Sequence, residues 1–134
     1  MTGVQTCALP ISAYYYDERL KTKLSNIENS LDIIKSLNGF KYINNDLAKE
    51  KGYNDDKVQL GLSAQEIEKV LPELISLAPF DMETDPKTGK VSSRSGENYK
   101  TVDYTKLIPV LVEAIKEQQN QIEALKMEIN RLKE

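Results

Sequence analysis

Residues 103–134 read DYTKLIPVLVEAIKEQQNQIEALKMEINRLKE, and this stretch decides the architecture of the chain. Apolar side chains recur in it at alternating intervals of three and four residues, with a single glutamine in the series: Ile108, Leu111, Ile115, Gln118, Ile122, Leu125, Ile129 and Leu132. This spacing is typical of the a and d positions of a heptad repeat, and it continues for more than three heptads. We therefore predict that residues 104–134 form a long helix that joins a coiled coil.

The same heptads bear on the direction and the number of helices. Glu128 falls at g and Lys133 at the following e, two positions that approach each other across a parallel, in-register coiled coil. Isoleucine at a with leucine at d favours two helices, so the heptads alone slightly favour a dimer, while Gln118 at d could select a register and a stoichiometry. The alternative is a helix that packs back on its own domain, but its outer positions are polar: Glu113, Lys116, Glu117, Asn120, Glu123, Asn130 and Arg131.

The preceding residues, 14–110, predict a small body of short strands and helices, and hence an α+β fold. A turn is expected at 85–89 and a mobile loop in the Ser-rich stretch 91–98. Short strands are expected where β-favouring residues cluster or where apolar and polar residues alternate, at 14–16, 40–43, 58–62, 74–77 and 99–104.

Two helices of this body are predicted from capping boxes, in which a serine accepts from the backbone and a glutamate three residues later reaches back. The first box occupies residues 25–28 and precedes apolar residues at helical spacing, with Asn-Gly at 38–39 as the end of the helix. The second occupies residues 63–66 and precedes a short helix that Pro72 ends. Asp103 is expected to cap the C-terminal helix.

Length, charge and composition limit the possible functions. The chain has 134 residues, enough for one domain, and its net charge of −3 argues against a general nucleic-acid binder. Cys7 is the one cysteine and histidine is absent, so an internal disulfide, a Cys-based metal site and His-based catalysis are excluded. No apolar run approaches the ~20 residues that a membrane span needs. We expect no cofactor and no metal.

The first residues differ in character from the rest. The stretch MTGVQTCALPIS, residues 1–12, has no helical or strand period and lacks the basic region of a signal peptide. We expect residues 1–13 to be either a non-native segment or a disordered tail. In the first case the natural protein continues upstream of Ala13.

Four blocks of sequence occur in an order that resembles a known family. They are YDERLK at 16–21, LNGFKY at 37–42, LGLSAQEIEKVLPEL at 60–74 and YKTVDYTKLIPVLVEAI at 99–115. The chain resembles the C-terminal intramolecular chaperone domain of phage endosialidases, tailspikes and neck appendages. That domain is also a self-cleaving serine peptidase, and it occurs in the myelin regulatory factor as well. The resemblance extends from Tyr14 to Leu132.

The resemblance implies a homotrimer of small α+β bodies with a parallel C-terminal coiled coil, and this replaces the weak preference for a dimer. It also implies that the domain holds three chains in register while an upstream triple-stranded β-fibre folds. Such fibres fold slowly because their contacts are non-local, and a coiled coil raises the effective concentration of the chains. The implied partners are further copies of the chain and the upstream fibre, without nucleic acid or membrane. The implied location is the virion, or the host cytoplasm during assembly.

The same resemblance implies a site of self-cleavage. The family is cut just before the serine of a Ser-Asp-x-Arg-x-Lys motif, with the serine as nucleophile and the lysine as base. Here the lysine is Lys21 and the aspartate is Asp17, but Tyr16 stands in place of the serine. A bulky phenol is poorly suited to attack a peptide carbonyl, so we expect autoproteolytic release to be lost. Because positions 16 and 21 are an odd number apart, they need a turn, a bulge or a contact between chains to meet.

Alternatives remain beside this interpretation. The chain can be a permanent structural coiled-coil module, which the missing serine favours, or an active self-cleaving peptidase, which needs a nucleophile that the motif lacks. A nucleic-acid role, as in the myelin relative, has no basic patch to support it. Lys21 and Arg19 can also be ordinary solvated charges, paired with Asp17 or Glu18.

Overall fold

The structure, a computed structural model, describes residues 15–134. The predictions for residues 1–13, Tyr14 and Cys7 lie outside the described residues. Two compact units make up the described chain: Leu37–Asp103 forms one, and residues 15–36 with Tyr104–Glu134 form the other. Residues 15–36, which were expected to belong to the body, thus cluster with the C-terminal helix.

Three antiparallel strand pairs shape the unit Leu37–Asp103. Strand β1 (Phe40–Tyr42) pairs with β2 (Gln59–Gly61), β3 (Ile75–Leu77) with β6 (Lys100–Val102), and β4 (Met82–Thr84) with β5 (Val91–Ser93). The registers set Phe40 opposite Gly61, Ile75 opposite Val102 and Met82 opposite Ser93. The strands predicted at 40–43, 58–62, 74–77 and 99–104 are therefore confirmed, each shorter by one to three residues.

Strand β5 corrects the expectation of a mobile loop at 91–98. The predicted turn at 85–89 is present, with the Asp85 carboxylate accepting from the Lys87 N–H at 2.8 Å and Gly89 at φ +74°. This turn brings residues 91–93 alongside β4, and the pairing with that strand orders them. A Ser-rich composition identifies polar, solvent-compatible residues, but it does not reveal a strand partner across a hairpin.

The helix α3 (Ala64–Val70) carries the core of this unit. Its N-terminus begins as predicted, because the Ser63 hydroxyl accepts from the Glu66 N–H at 3.2 Å. Only half of the capping box forms, since the Glu66 carboxylate accepts from Asn38 instead. Pro72 ends the helix and starts the 3-10 turn Pro72–Leu74. The buried apolar side chains of the unit are Ile67, Leu71, Leu74 and Ala78.

The second unit is built on helix α4 (Leu107–Leu132), which is 26 residues long. At 1.5 Å per residue it extends for about 39 Å. Leu107, Val110 and Ala114 are its buried positions, and the short helix α1 (Ser30–Lys35) packs against it. Pro109 is the third residue of α4, where a backbone N–H has no intrahelical partner, so the helix tolerates it.

The capping box at 25–28 is wrong as a helix start. Helix α1 begins at Ser30, and its N-cap is Asn29, which has φ +57° and makes no side-chain capping bond. A distant residue supplies the missing acceptor, because the Glu117 carboxylate in α4 accepts from the Leu31 N–H at 3.1 Å. The helix also ends at Lys35, before the predicted Asn-Gly, with Ser36 as its C-cap.

Two other local expectations are corrected. Tyr15 and Tyr16 form no strand. The N-cap residue of α4 is Lys106, and a 3-10 turn at Tyr104–Lys106 separates it from Asp103. The Asp103 N–H instead donates to the Leu74 carbonyl at 2.8 Å, which extends the hydrogen bonding beyond the β3–β6 pair.

The Leu37–Asp103 unit also contains α2 (Asp46–Glu50), a short helix between β1 and β2. The Asn45 side chain caps it by accepting from the Ala48 N–H at 2.9 Å. The helix closes on Gly52 at φ +104°, where the Tyr53 N–H donates to Ala48 and the Gly52 N–H to Lys49. These two bonds make a Schellman motif, so the direction in which the chain leaves α2 is fixed.

Candidate functional site

The motif expected to carry self-cleavage lies on a 3-10 turn at Glu18–Leu20. Asp17 caps this turn by accepting from the Arg19 N–H at 2.9 Å. Its carboxylate also receives the Arg19 guanidinium in a two-pronged contact, Nε to Oδ1 at 3.1 Å and Nη2 to Oδ2 at 2.7 Å. The side-chain hydrogen bond from Arg19 lowers the pKa of Asp17 and raises that of Arg19. Asp17 therefore binds the backbone of the turn and the guanidinium of Arg19, and it does not bind Lys21.

The turn brings Tyr16 and Lys21 together. The Lys21 ammonium lies 5.0 Å from the centre of the Tyr16 ring and 5.9 Å from that of Tyr15. This is a cation–π geometry, in which the aromatic face attracts the ammonium. The chain reversal that an odd spacing requires is thus supplied within one chain, and Tyr16, which stands where the resemblance places a serine, has its ring against the lysine.

This segment is fully open to solvent. Every residue from Tyr15 to Asn29 is exposed, and Lys23 pairs with Glu18 at 3.2 Å on the same surface. A lysine acts as a general base where burial or neighbouring cations disfavour its charge. Within residues 15–134 of a single chain, no such enclosure surrounds Lys21.

The predicted seam of α4 is uncovered in a single chain. All eight of its residues are exposed, from Ile108 and Leu111 to Ile129 and Leu132, and Ile115 is 64% exposed. They lie beside the buried Leu107, Val110 and Ala114, which flank the d side of the seam in the first two turns of the helix. An exposed apolar stripe of this length is typical of an interaction surface. The trimeric coiled coil itself stays a prediction.

The charge pair that indicated a parallel arrangement has a local competitor. In the single chain the Glu128 carboxylate pairs with Arg131, three residues further along the same helix. No ion pair within residues 15–134 includes Lys133. A contact from Glu128 to Lys133 of another chain would therefore have to replace or share the Arg131 contact.

A buried aspartate, Asp81, organises the loop that the sequence presented as mobile. Its carboxylate accepts from the Ser93 hydroxyl at 2.6 Å, the Ser95 N–H at 2.8 Å and the Tyr99 N–H at 3.2 Å. Ser93 in turn accepts from two further backbone N–H groups of the loop, each at 3.0 Å. Burial raises the pKa of Asp81, but these hydrogen bonds outweigh burial and lower it to about 2.

The sequence analysis missed this centre because it joins residues that are 12 to 18 positions apart. The usable signal was the cluster SSRSGEN at 92–98, which is rich in hydroxyls and in residues that tolerate positive φ. Gly96 at φ +81° and Asn98 at φ +56° turn the backbone N–H groups of this loop inward. Such a loop is suited to wrap a carboxylate.

No helix within residues 15–134 is both long and apolar enough to cross a membrane. The same range contains no group of three or more Asp, Glu, His or Cys side chains placed to hold a metal ion.

Comparison with known proteins gives two matches. Residues 17–76 match the family described as chaperone of endosialidase, a range that includes Asp17, Lys21 and the whole of α3. The chain is also similar to the long tail fiber protein Gp37 of Salmonella phage S16, with 29% identity over 123 residues. That alignment covers 88% of this chain but 14% of the phage protein, so the chain corresponds to a small part of its relative. The chain is thus similar to the chaperone of endosialidase family over residues 17–76, 60 of its 134 residues.

Proposed function

We propose that the chain is the trimerisation and folding-chaperone domain of a phage tail fibre. Three copies would join in parallel through α4 and hold the upstream fibre chains in register while the fibre folds. The observation that carries this proposal is the seam of α4, an apolar stripe that stays exposed although Leu107, Val110 and Ala114 beside it are buried. The family match and the similarity to a long tail fiber protein support the role.

Burial of α4 within the chain is confined to its first two turns, and this gives the proposal a physical basis. Leu107, Val110 and Ala114 are used within the chain, where α1 also packs against α4. The seam is left for other chains, and covering seven large apolar side chains would contribute on the order of 1.5–3 kcal/mol for each one fully buried. Gly is absent from α4, and Pro is confined to its first turn, so nothing in the helix interrupts such a seam.

We also propose that this copy does not release itself by cleavage. Tyr16 occupies the position of the family nucleophile, its ring contacts Lys21, and the whole segment is exposed. An uncut domain stays attached to its fibre, so the chaperone would also serve as a permanent structural module of the mature particle. This second role rests on the residue at position 16 alone.

Expression of an upstream fibre with and without this domain tests the chaperone role. Fibre chains that carry the domain should form soluble trimers resistant to detergent. Chains that lack it should accumulate as monomers or aggregates. Domain-bearing chains with Ile122→Asp, which places a charge in the seam, should behave as if the domain were absent, and Asn120→Asp on the outer face serves as the matched control. Equal yields of trimer with and without the domain would refute the proposal.

A further inference from the structure

Three aromatic rings in the Leu37–Asp103 unit form an arc that no part of the proposed assembly uses. The ring centre of Phe80 lies 5.6 Å from that of Tyr53 and 5.7 Å from that of Tyr99. Together with Leu47 and Ala48 of α2, the three rings line a cavity of about 220 Å³ that opens to solvent. Tyr53 is about half exposed at its rim.

The backbone beneath these rings is fixed on both sides. Tyr53 follows Gly52 in the Schellman motif that closes α2, which sets the direction of its side chain. On the other side the Tyr99 N–H donates to the Asp81 carboxylate, and the Tyr99 carbonyl accepts from Ala78 at 2.8 Å. Phe80 stands between them in the 3-10 turn Pro79–Asp81. A preformed apolar cavity loses less entropy on binding than one that must be assembled.

Two cations flank the cavity. The Lys51 ammonium lies 5.5 Å from the centre of the Tyr99 ring. Lys51 and Phe80 also line an adjoining cavity of about 520 Å³, whose wall includes Arg94. The Arg94 guanidinium donates to the Met82 carbonyl at 3.0 Å through one nitrogen, which leaves its other donors available.

Only some basic residues of this unit have carboxylate partners. Lys49 pairs with Asp56 at 2.9 Å and Lys100 with Glu68 at 2.6 Å. In the part of the chain that the structure describes, neither Lys51 nor Arg94 has an ion pair with a carboxylate. The nearby Asp81 carboxylate is 2% exposed and is already occupied by Ser93, Ser95 and Tyr99. Positive charge without a counter-ion beside an apolar cavity complements an acidic ligand with an apolar anchor.

The geometry points to a peptide-binding site in which the arc of Tyr53, Phe80 and Tyr99 takes one large apolar side chain while Lys51 and Arg94 take carboxylates on either side of it. The smaller cavity has the volume of a single such side chain, and the adjoining one leaves room for the neighbouring residues. A polyanion such as single-stranded nucleic acid also stacks on aromatic rings, so its competition with the peptide is part of the test. The identity of the peptide as an unfolded segment of the fibre rests on the proposed function, whereas the binding itself does not.

The absence of tryptophan from the chain makes the test direct. The probe is the peptide Gly-Ser-Asp-Trp-Glu-Ser-Gly, whose tryptophan fluorescence reports on the peptide alone. Titration of the full chain should give a saturable change. The peptide Gly-Ser-Lys-Trp-Lys-Ser-Gly should bind at least about fivefold more weakly. Its two ammonium groups replace two carboxylates, so Lys51 and Arg94 repel the peptide and no longer attract it. Added oligo(dT) should not displace the acidic peptide.

Variants assign the binding to this site. Lys51→Gln and Arg94→Gln should each weaken binding about two- to fivefold, the effect expected of an exposed cation contact. Tyr53→Ala should weaken it about tenfold, because an aromatic wall of the cavity is lost. Lys57→Gln, which removes the same charge from another exposed position of the unit, should leave the affinity unchanged. Circular dichroism of each variant confirms that the fold is retained.

Three results would overturn the inference: no binding of the acidic peptide, equal binding of the lysine peptide, or displacement by oligo(dT). Equal losses in Lys57→Gln and Lys51→Gln would overturn it as well. Sedimentation equilibrium of the same samples measures their oligomeric mass, which reports on assembly through the seam of α4. Loss of binding with an intact trimer, or binding by a monomer, therefore separates the failure of this inference from the failure of the proposed assembly.

Discussion

The carboxylate of Glu117 in α4 accepts a hydrogen bond from the backbone N–H of Leu31 at the start of α1, with 3.1 Å between Oε2 and N. The two residues are 86 positions apart in the chain. The contact replaces the side-chain cap that Asn29 does not provide, and it places a negative charge at the positive end of a helix. It therefore ties the short helix α1 to the helix that we propose as the trimer axis.

Replacing Glu117 should loosen α1 without changing α4. Glu117→Ala removes the acceptor of the Leu31 N–H, so we expect a loss of about 0.5–2 kcal/mol in unfolding free energy, the range of a lost N-cap. Hydrogen exchange at the Leu31 amide should become faster at the same time. Glu123→Ala, which removes only a surface contact to Gln119, is the control. Unchanged exchange at Leu31 would contradict the assigned contact.

Two serines with the same local sequence signal should respond differently to substitution. Ser63 caps α3, so Ser63→Ala should lower the unfolding free energy by about 1 kcal/mol. Ser25 begins the same Ser-x-x-Glu sequence pattern but lies outside any helix. Ser25→Ala should therefore change the unfolding free energy by less than about 0.5 kcal/mol. Chemical denaturation of the two variants measures both values. Equal losses would show that a helix also begins after residue 25.

These two boxes show how far sequence patterns determine the fold. Local signals located the strands near residues 40, 60, 75 and 100, as well as α3 and α4, because each pattern lies within the element it predicts. The start of α1 depends on Glu117, which is far away in sequence. The loop around Asp81 escaped prediction for the same reason, since its hydrogen bonds join separate strands and turns.

The candidate sites also differ in how far the sequence predicts them. The seam is a periodic pattern on one helix and can be found from the sequence. The placement of Lys21 over the Tyr16 ring required the turn at Glu18–Leu20, which the sequence left open as a strand or a turn. The aromatic arc could not be predicted, because Tyr53, Phe80 and Tyr99 come from three separate connections.

Acid should weaken the fold through Asp81. Hydrogen bonds hold its folded pKa at about 2, below the ordinary value of 3.8. The ionised carboxylate therefore stabilises the fold fully above about pH 4, and this contribution is lost as the pH falls towards 2. Melting temperatures measured across that range should fall more steeply for the natural chain than for Asp81→Asn, which should already melt lower at pH 7.

The control for this pH dependence is Asp56→Asn, which removes an exposed carboxylate paired with Lys49. Its melting temperature should follow that of the natural chain between pH 4 and pH 2. If Asp81→Asn also followed the natural chain over this range, the carboxylate would not be the group that holds the loop.

Position 16 should decide whether the protein is cut. In a fibre that carries this domain, the natural chain should run as one intact polypeptide, because a tyrosine replaces the nucleophile. Tyr16→Ser supplies the serine that the resemblance implies at this position and should produce cleavage before residue 16, whereas Tyr16→Ser with Lys21→Gln should not be cut. Mass spectrometry of the purified proteins identifies the new ends. A fragment that begins at Tyr16 of the natural protein would contradict the proposed loss of cleavage.

The oligomeric mass of the chain in solution tests the central claim most directly. Sedimentation equilibrium of the natural 134-residue chain should give the mass of three chains, each of 15.2 kDa. Ile122→Asp should shift this mass towards the single chain, because a charge then enters the seam, and Asn120→Asp should remain trimeric. A dimer would show that the heptad preference of isoleucine and leucine prevails over the family resemblance. A natural chain that stays monomeric at all concentrations would contradict assembly through α4.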